Sequence, residues 1–133
     1  MRSSGACVMN GIEFLLDTNF ILAMLKVQPE AAVVVSSQGI RVGQCGYSVI
    51  SRMELLGFAG ILEDERGLIE DRLSGLVKCA LNEAIEESVI AIRQVRRMKL
   101  PDAIILATAL VNRLKLVTLD KALDTAWREL AKP

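Results

Sequence analysis

Short apolar runs alternate with longer segments of helical periodicity along this chain, and that alternation restricts the fold more than any other feature. The runs predict strands at residues 12–16, 46–50, 77–81 and 116–118. Apolar residues at helical spacing predict helices between and after them, at about residues 19–35, 51–58, 64–76 (one or two helices), 83–97, 102–114 and 122–132. Strands that alternate with helices predict a central parallel sheet covered on both faces, which is a three-layer α/β/α sandwich.

Size and composition predict one domain. The chain has 133 residues, of which 52% are hydrophobic, and a chain of this length buries roughly 65 to 70% of its extended surface. We predict a single domain over residues 12–133 and a flexible N-terminal extension over residues 1–11. The extension lacks the apolar segment of a secretory signal peptide, and Met9 offers an alternative start.

Charge balance and the absence of histidine exclude several kinds of site. The 16 Lys and Arg residues balance 16 Asp and Glu residues, so a nucleic acid would have to be held by a local patch or through a metal. The chain has no histidine, which excludes Ser-His-Asp and Cys-His nucleophiles and histidine-bound zinc. Carboxylates are therefore the main candidates for acid–base chemistry and metal binding.

The cysteines and the hydropathy profile indicate a reducing, aqueous compartment. Cys7, Cys45 and Cys79 are odd in number and lack the spacing of a metal site, which argues against a disulfide framework. We interpret them as small buried apolar residues. No apolar run approaches the roughly 20 residues that span a bilayer, so we expect a cytoplasmic protein with no membrane partner.

Four acidic residues occur at comparable junctions along the predicted sheet. Asp17 follows the first strand, Glu54 lies just after the second, Asp102 opens the long apolar helix, and Asp120 follows the last strand. The carboxyl ends of parallel strands share one edge, where ligands bind in open α/β folds. Carboxylates about 4 Å apart repel by about 4 kcal/mol per pair at an effective dielectric of 20. A cation such as Mg²⁺ or Mn²⁺ would offset that repulsion.

Each acid also has a local structural explanation. Asp17 is a preferred N-cap residue for the helix that begins near Asn19. Ser51 and Glu54 have the spacing of a capping box. Asp102 falls in the first turn of a helix, where negative charge is favourable, and Asp120 suits a cap or an Asx turn. The joint placement of all four at one sheet edge favours a metal site, because independent caps have no reason to converge there.

The sequence around these acids resembles the PIN-domain family of metal-dependent ribonucleases, in particular the VapC-type toxins of type II toxin-antitoxin systems. The resemblance covers residues 12 to about 123. It is carried by an ordered set of four segments: FLLDTN at 14–19, SVISRMEL at 48–55, LPDAIILATA at 100–109 and LVTLD at 116–120.

This resemblance implies a function and a set of site residues. Family members hydrolyse RNA phosphodiester bonds with Mg²⁺ or Mn²⁺, form homodimers and are inhibited by an antitoxin protein. The family's three central acids map onto Asp17, Glu54 and Asp102, and its fourth onto Asp120, as catalytic and metal-binding residues. Many relatives end in a further edge strand, whereas Lys121, Ala122 and Leu123 here lead into a predicted helix, so the PIN-like sheet is expected to have four or five strands.

Hydroxyl and cationic side chains near the acids are further candidates. Thr18 and Thr118 are expected to hold carboxylates or metal-bound water, with a local turn motif as the alternative. The candidates for binding substrate RNA are the cationic residues Arg52, Arg93, Arg96, Arg97 and Lys99. For the four between 93 and 99 the alternative is a solvated helix end. For Arg52 the alternative is a simple ion pair.

Some apolar residues of the early helices are expected to be covered by a partner, either a second copy or an antitoxin segment. They are Phe20, Leu22, Leu25, Leu55, Leu56 and Phe58. The nearly all-apolar helix that follows Asp102 is instead expected to lie in the core.

Other functions remain as alternatives to the toxin ribonuclease. A non-catalytic binding module would keep the fold with its acids as caps, and an RNA-processing nuclease would act outside any toxin-antitoxin pair. A phosphotransfer receiver domain would need adjacent acids near the first strand. A haloacid-dehalogenase-type phosphatase would need a second aspartate where Asn19 stands. The last two are therefore weaker interpretations.

Overall fold

A computed structural model describes residues 11–131 of the chain, as four strands, seven α-helices and one 3₁₀ turn. The strands are β1 (Phe14–Leu16), β2 (Cys45–Ser48), β3 (Val77–Cys79) and β4 (Lys115–Val117). The helices are α1 (Thr18–Leu25), α2 (Pro29–Gln38), α3 (Val49–Leu56), α4 (Glu63–Leu73), α5 (Glu83–Val95), α6 (Leu100–Val111) and α7 (Lys121–Leu130). The predicted N-terminal extension falls almost wholly outside the described residues and stays a prediction.

All four strands are parallel, in the order β3-β2-β1-β4. The central strand β1 pairs with both neighbours, and Leu16 lies opposite Tyr47 on one side and Val117 on the other. All three residues of β1 are buried, as expected for a parallel strand that is covered on both faces. The carboxyl ends of β1, β2 and β4 therefore lie side by side.

Alternate residues of the strands point into two separate cores. Leu15 and Leu116 pack with buried residues of α5, α6 and α7. Phe14, Leu16 and Val117 pack on the opposite face with buried residues of α1 to α4. The predicted three-layer α/β/α sandwich is thus confirmed, with four strands among the described residues and the predicted helix, α7, after β4.

The boundary between β2 and α3 differs from the prediction. We expected a strand that continues to Ile50, but β2 ends at Ser48 and Val49 begins the helix. The Ser48 hydroxyl accepts a hydrogen bond from the backbone N–H of Ile50 at 3.1 Å, which makes Ser48 the N-cap. The β-branched residues at 49 and 50 suggested a strand, and this cap overrides that preference.

The predicted helix over residues 19–35 is instead two helices. α1 ends at Leu25, Val27 adopts a positive φ of 53°, and Pro29 begins α2. Proline fixes φ and has no N–H to donate, so it suits the first turn of a helix and not its interior.

No single helix within residues 11–131 is long and apolar enough to cross a membrane, although α1 and α2, at 110° to each other, reach that length and composition as a pair.

The chain itself covers most of the apolar residues that we expected a partner to cover. Phe20, Leu55 and Leu56 are buried in the core on the α1 to α4 side. Leu22 is partly buried there, and Phe58 is 47% exposed. That prediction was therefore wrong for three of its members. The apolar helix α6 is buried along most of its length, as predicted.

Two of the three cysteines are buried thiols, as the sequence predicted, while Cys7 lies outside the described residues. Burial raises the pKa of Cys45 and of Cys79 to about 11. In a Cys7→Ser variant at pH 8, we expect both thiols to react with iodoacetamide far more slowly in the folded protein than in guanidinium, because the thiolate is the nucleophile. Mass spectrometry of timed samples measures this, and rapid labelling of the folded protein would contradict it.

Candidate active site

The four predicted acids all lie at the carboxyl edge of the sheet. Asp17 directly follows β1 and caps α1, while Asp120 follows β4 and caps α7. Glu54 lies in the second turn of α3, the helix that directly follows β2. Asp102 is in the first turn of α6. The parallel topology therefore brings to one edge acids that are up to 103 residues apart in the chain, from position 17 to position 120.

Asp17 is held by three elements at once. Its carboxylate accepts hydrogen bonds from the backbone N–H of Phe20 at 2.7 Å and from the hydroxyl of Thr118 at 2.5 Å. Its own backbone N–H donates to the carbonyl of Val117 at 3.1 Å. The residue is only 4% exposed. Asp17 is therefore fixed between β1, α1 and the end of β4, with one bond to each carboxylate oxygen and lone pairs left over.

Thr118 links Asp17 to Asp120. While its hydroxyl donates to Asp17, its oxygen accepts the backbone N–H of Asp120 at 3.0 Å. The Asp120 carboxylate accepts the backbone N–H of Leu123 at 3.1 Å. Asp17 and Asp120 thus both cap helices, as their alternative explanation predicted. They also lie at the same sheet edge as the other two acids, so capping does not exclude a functional role.

Glu54 is held by a hydroxyl from another helix and not by a capping box. Thr18 donates its hydroxyl to a carboxylate oxygen of Glu54 at 2.6 Å, and it lies 2.8 Å from the hydroxyl of Ser51. Ser51 is completely buried inside α3, whose cap is Ser48. The predicted Ser51–Glu54 capping box was therefore wrong. Ser51 is the site residue whose role the sequence did not indicate, because its partner comes from α1.

The acids disturb one another electrostatically. Burial raises the pKa of Asp17, as do the charges of Asp102 and Asp120, against the lowering effect of its hydrogen bonds from Thr118 and Phe20. Burial also raises the pKa of Asp102, together with the charges of Asp120 and Glu54, against the lowering effect of Lys99. Both carboxylates are therefore costly to keep ionised in the folded protein.

A cavity of about 400 Å³ opens at this edge. Asp17, Glu54 and Asp102 line it with Thr18 and Asn19. The rest of the lining is apolar and comprises Leu22, Leu55, Phe58, Ile69 and Ile105. Asp120 does not line the cavity, although its charge acts on Asp17 and Asp102. The structure thus separates three acids at the cavity from a fourth beside it.

The five predicted RNA-binding cations do not line this cavity. Arg52 forms an ion pair with Glu70 at 3.3 Å, as its alternative explanation predicted, and Arg96 pairs with Glu129 at 2.6 Å. Arg93 donates to the carbonyl of Met98 and lines a separate groove of about 540 Å³ with Arg96 and Arg97. Lys99 is near enough to Asp102 to lower its pKa. Their role toward RNA stays a prediction.

The donor atoms at the cavity suit a hard divalent cation. Among residues 11–131, no three Asp, Glu or Cys side chains form a ready-made metal-binding group. Mg²⁺, however, keeps several of its waters and commonly takes only one or two carboxylates. The donors here are carboxylate oxygens with unused lone pairs. Two of the carboxylates, those of Asp17 and Asp102, have a raised pKa. A cation would relieve that electrostatic cost, so the residues fit such an ion chemically.

A parallel sheet that is covered by helices on both faces and carries four acidic residues at its carboxyl edge defines the class of α/β protein to which this chain belongs. The family model described as the PIN domain matches residues 14–128, and the chain belongs to that family. PIN domains are generally nucleases. The resemblance inferred from the four sequence segments is thus confirmed. No curated protein matches the chain in sequence.

Several solved structures share this fold. A toxin-antitoxin complex from Klebsiella pneumoniae contains a chain that is 31% identical, with a TM-score of 0.71 over 82% of this chain and 88% of that one. FitAcB from Neisseria gonorrhoeae is 26% identical, with a TM-score of 0.67 over 86% and 93%. VapBC2 from Rickettsia felis, bound to a DNA fragment from its promoter, is 15% identical, with a TM-score of 0.69 over 86% and 92%. This last likeness concerns the fold alone.

Proposed function

We propose that this PIN-domain protein is a divalent-metal-dependent ribonuclease and the toxin of a VapBC-type toxin-antitoxin pair. The observation that carries the proposal is the acidic cavity, where Asp17, Glu54 and Asp102 meet with Asp120 beside them. The likeness to chains of toxin-antitoxin complexes supports the biological role. Cytoplasmic location and a homodimer are part of the same proposal.

In this proposal Asp17, Glu54 and Asp102 hold Mg²⁺ or Mn²⁺, and Asp120 completes the acidic edge. The bound cation supplies activation of a water molecule and neutralisation of charge on the RNA phosphodiester. Thr118 fixes the Asp17 carboxylate, and Thr18 fixes that of Glu54. Leu22, Leu55 and Phe58 supply apolar lining to the same cavity. The side chains are thus oriented before substrate binds, so that less reorganisation is needed during the reaction.

The direct test is cleavage of a mixed structured RNA by purified protein, freed of any partner, with Mn²⁺, with Mg²⁺ or with EDTA. We expect cleavage with either metal and none in EDTA, with recovery when Mn²⁺ is restored in excess. Gel analysis of end-labelled RNA measures it. Intact RNA under all conditions, with no Mn²⁺ bound, would favour the non-catalytic binding module instead.

The toxin role needs a separate test, because an RNA-processing nuclease would pass the first one. Induced expression of the wild-type chain in a bacterial host should arrest growth, and co-expression of the small protein encoded by an adjacent reading frame should relieve the arrest. Light scattering of the purified chain measures whether it is a dimer. Robust growth during expression of active nuclease would favour RNA processing.

A further inference from the structure

The hydroxyl of Ser51 is polar, completely buried and not explained by helix capping. Ser48 provides the cap of α3, and Ser51 is the third residue of that helix. A buried hydroxyl needs a hydrogen-bond partner. Its partner is the hydroxyl of Thr18, the first residue of α1, at 2.8 Å. This contact joins two helices that begin at neighbouring strand ends.

The direction of the hydrogen bonds follows from proton counting. Thr18 Oγ1 lies 2.6 Å from Oε1 of Glu54, and an ionised carboxylate only accepts, so Thr18 donates its one proton there. Thr18 therefore has no proton left for Ser51, and Ser51 must donate to Thr18. The result is a directed chain from Ser51 to Thr18 to Glu54, which we call the hydroxyl relay.

The relay has a consequence for an exposed carboxylate. Ser51 and Glu54 are three residues apart on α3 and so lie on the same face of the helix. Glu54 itself is exposed, and without Thr18 its long side chain would sample several rotamers. Among the described residues the relay engages only Oε1 of Glu54. It therefore fixes the carboxylate through Oε1 and leaves Oε2 unengaged by the relay, in a residue that lines the cavity with Asp17 and Asp102.

We propose that Ser51 is a positioning residue, which acts through Thr18 to hold the Glu54 carboxylate ready for a divalent cation. The inference rests on the proposed function, in that Glu54 is taken as a metal-binding residue. The structural reason is that hydrogen bonds behind a metal-binding side chain set its orientation, and their loss typically weakens metal affinity about 10- to 100-fold.

Three variants distinguish the contribution of Thr18 to Mn²⁺ affinity from that of Ser51. Thr18→Val keeps the shape but removes the donor to Glu54, so Mn²⁺ affinity should fall about 10- to 100-fold. Ser51→Ala leaves the Thr18–Glu54 bond in place but frees the threonine hydroxyl to rotate, so the loss should be smaller. The double variant should bind Mn²⁺ no more weakly than Thr18→Val alone, because Ser51 acts only through Thr18.

Thermal stability in EDTA distinguishes positioning from a purely structural role. Thr18→Val leaves the buried Ser51 hydroxyl without its partner, and this lowers stability. The double variant removes that stranded hydroxyl, so it should recover stability relative to Thr18→Val while its Mn²⁺ affinity stays low. If both effects came only from general damage to the fold, affinity would recover together with stability.

The experiment is titration of the whole chain with Mn²⁺, followed by electron paramagnetic resonance of the free ion, with no RNA present. Thr18→Ser should restore near-wild-type affinity, and Thr125→Val is the matched control on the exposed face of α7. Glu54→Gln shows how much Mn²⁺ affinity is lost when the positioned carboxylate itself is removed. Wild-type affinity in Ser51→Ala or in Thr18→Val, or additive losses in the double variant, would overturn the positioning role of Ser51 and leave the proposed function standing. Failure of the wild-type protein to bind Mn²⁺ would overturn it together with the proposed function.

Discussion

Replacement of Asp17 by asparagine is expected to lower kcat/KM for RNA cleavage at least about 100-fold, the scale on which removal of one electrostatic contact in an active site acts, while the protein stays folded. Asn is as good an N-cap as Asp, so it can still accept the backbone N–H of Phe20. Its amide group can donate to the oxygen of Thr118, which already lies within hydrogen-bond distance. The substitution therefore removes one negative charge from the cavity and little else.

The measurement is the initial rate of cleavage at saturating Mn²⁺, beside circular dichroism and Mn²⁺ titration of each variant. Asp71→Asn is the matched control, since it makes the same chemical change at an exposed position of α4 that does not line the acidic cavity. We expect this control to cleave RNA like the wild type. Near-normal cleavage by a folded Asp17→Asn variant would mean that Asp17 serves only as a cap.

The sequence predicted the sheet because its strands are short, and the two central strands β1 and β2 are buried along their whole length, whereas Val77 and Lys78 of β3 are exposed. β1 and β4 were placed to within two residues, as were the starts of β2 and β3. The errors occur where one residue can serve two structures. Ser48 and Ser51 both offer a cap to α3, and β-branched Val49 and Ile50 made the later serine look like the start of the helix. The break before Pro29 was missed although proline marks it.

The acidic edge could be predicted because parallel topology alone places strand ends together. The contacts that hold the acids could not be predicted in detail, since they join residues that are far apart in sequence. Thr118 and Asp17 are separated by 101 positions, and Thr18 and Glu54 by 36. Thr118 reaches Asp17 because the two residues directly follow the paired positions Leu16 and Val117. The contact of Thr18 with Glu54 depends instead on the packing of α1 against α3. The sequence gives no local signal for that packing, and so the role of Ser51 was missed.

The second large expected effect concerns Asp102. We expect Asp102→Asn to be more stable than the wild type without metal and less stable than the wild type with Mn²⁺. In EDTA, burial and the charges of Asp120 and Glu54 raise the pKa of Asp102 above the ordinary value of 3.8, against the attraction of Lys99. The ionised carboxylate therefore destabilises the folded state. Asp102→Asn removes this charge, so the variant should be more stable than the wild type at pH 7.

The pH dependence of that difference follows from the sign of the pKa shift. As pH falls through the raised folded pKa, the folded wild type takes up a proton that the unfolded chain binds only near 3.8, and its stability rises relative to the variant. The advantage of Asp102→Asn is thus complete above the folded pKa and shrinks as the pH approaches 3.8. Chemical denaturation in EDTA at several pH values measures it, and an unchanging difference would contradict the shift.

Mn²⁺ should reverse the order at pH 7. A ligand that binds only the folded state at 100 times its Kd stabilises it by about 2.7 kcal/mol, which corresponds to a rise in Tm of about 10 °C for a domain of this size. The wild type should show this rise. Asp102→Asn should show much less, because it lacks one of the carboxylates that attract the ion. Asp71→Asn should respond like the wild type. An equal rise in Tm in all three proteins would place the ion elsewhere. If instead Mn²⁺ makes the wild type more stable than Asp102→Asn, the acids destabilise the metal-free fold because they are arranged to bind a cation.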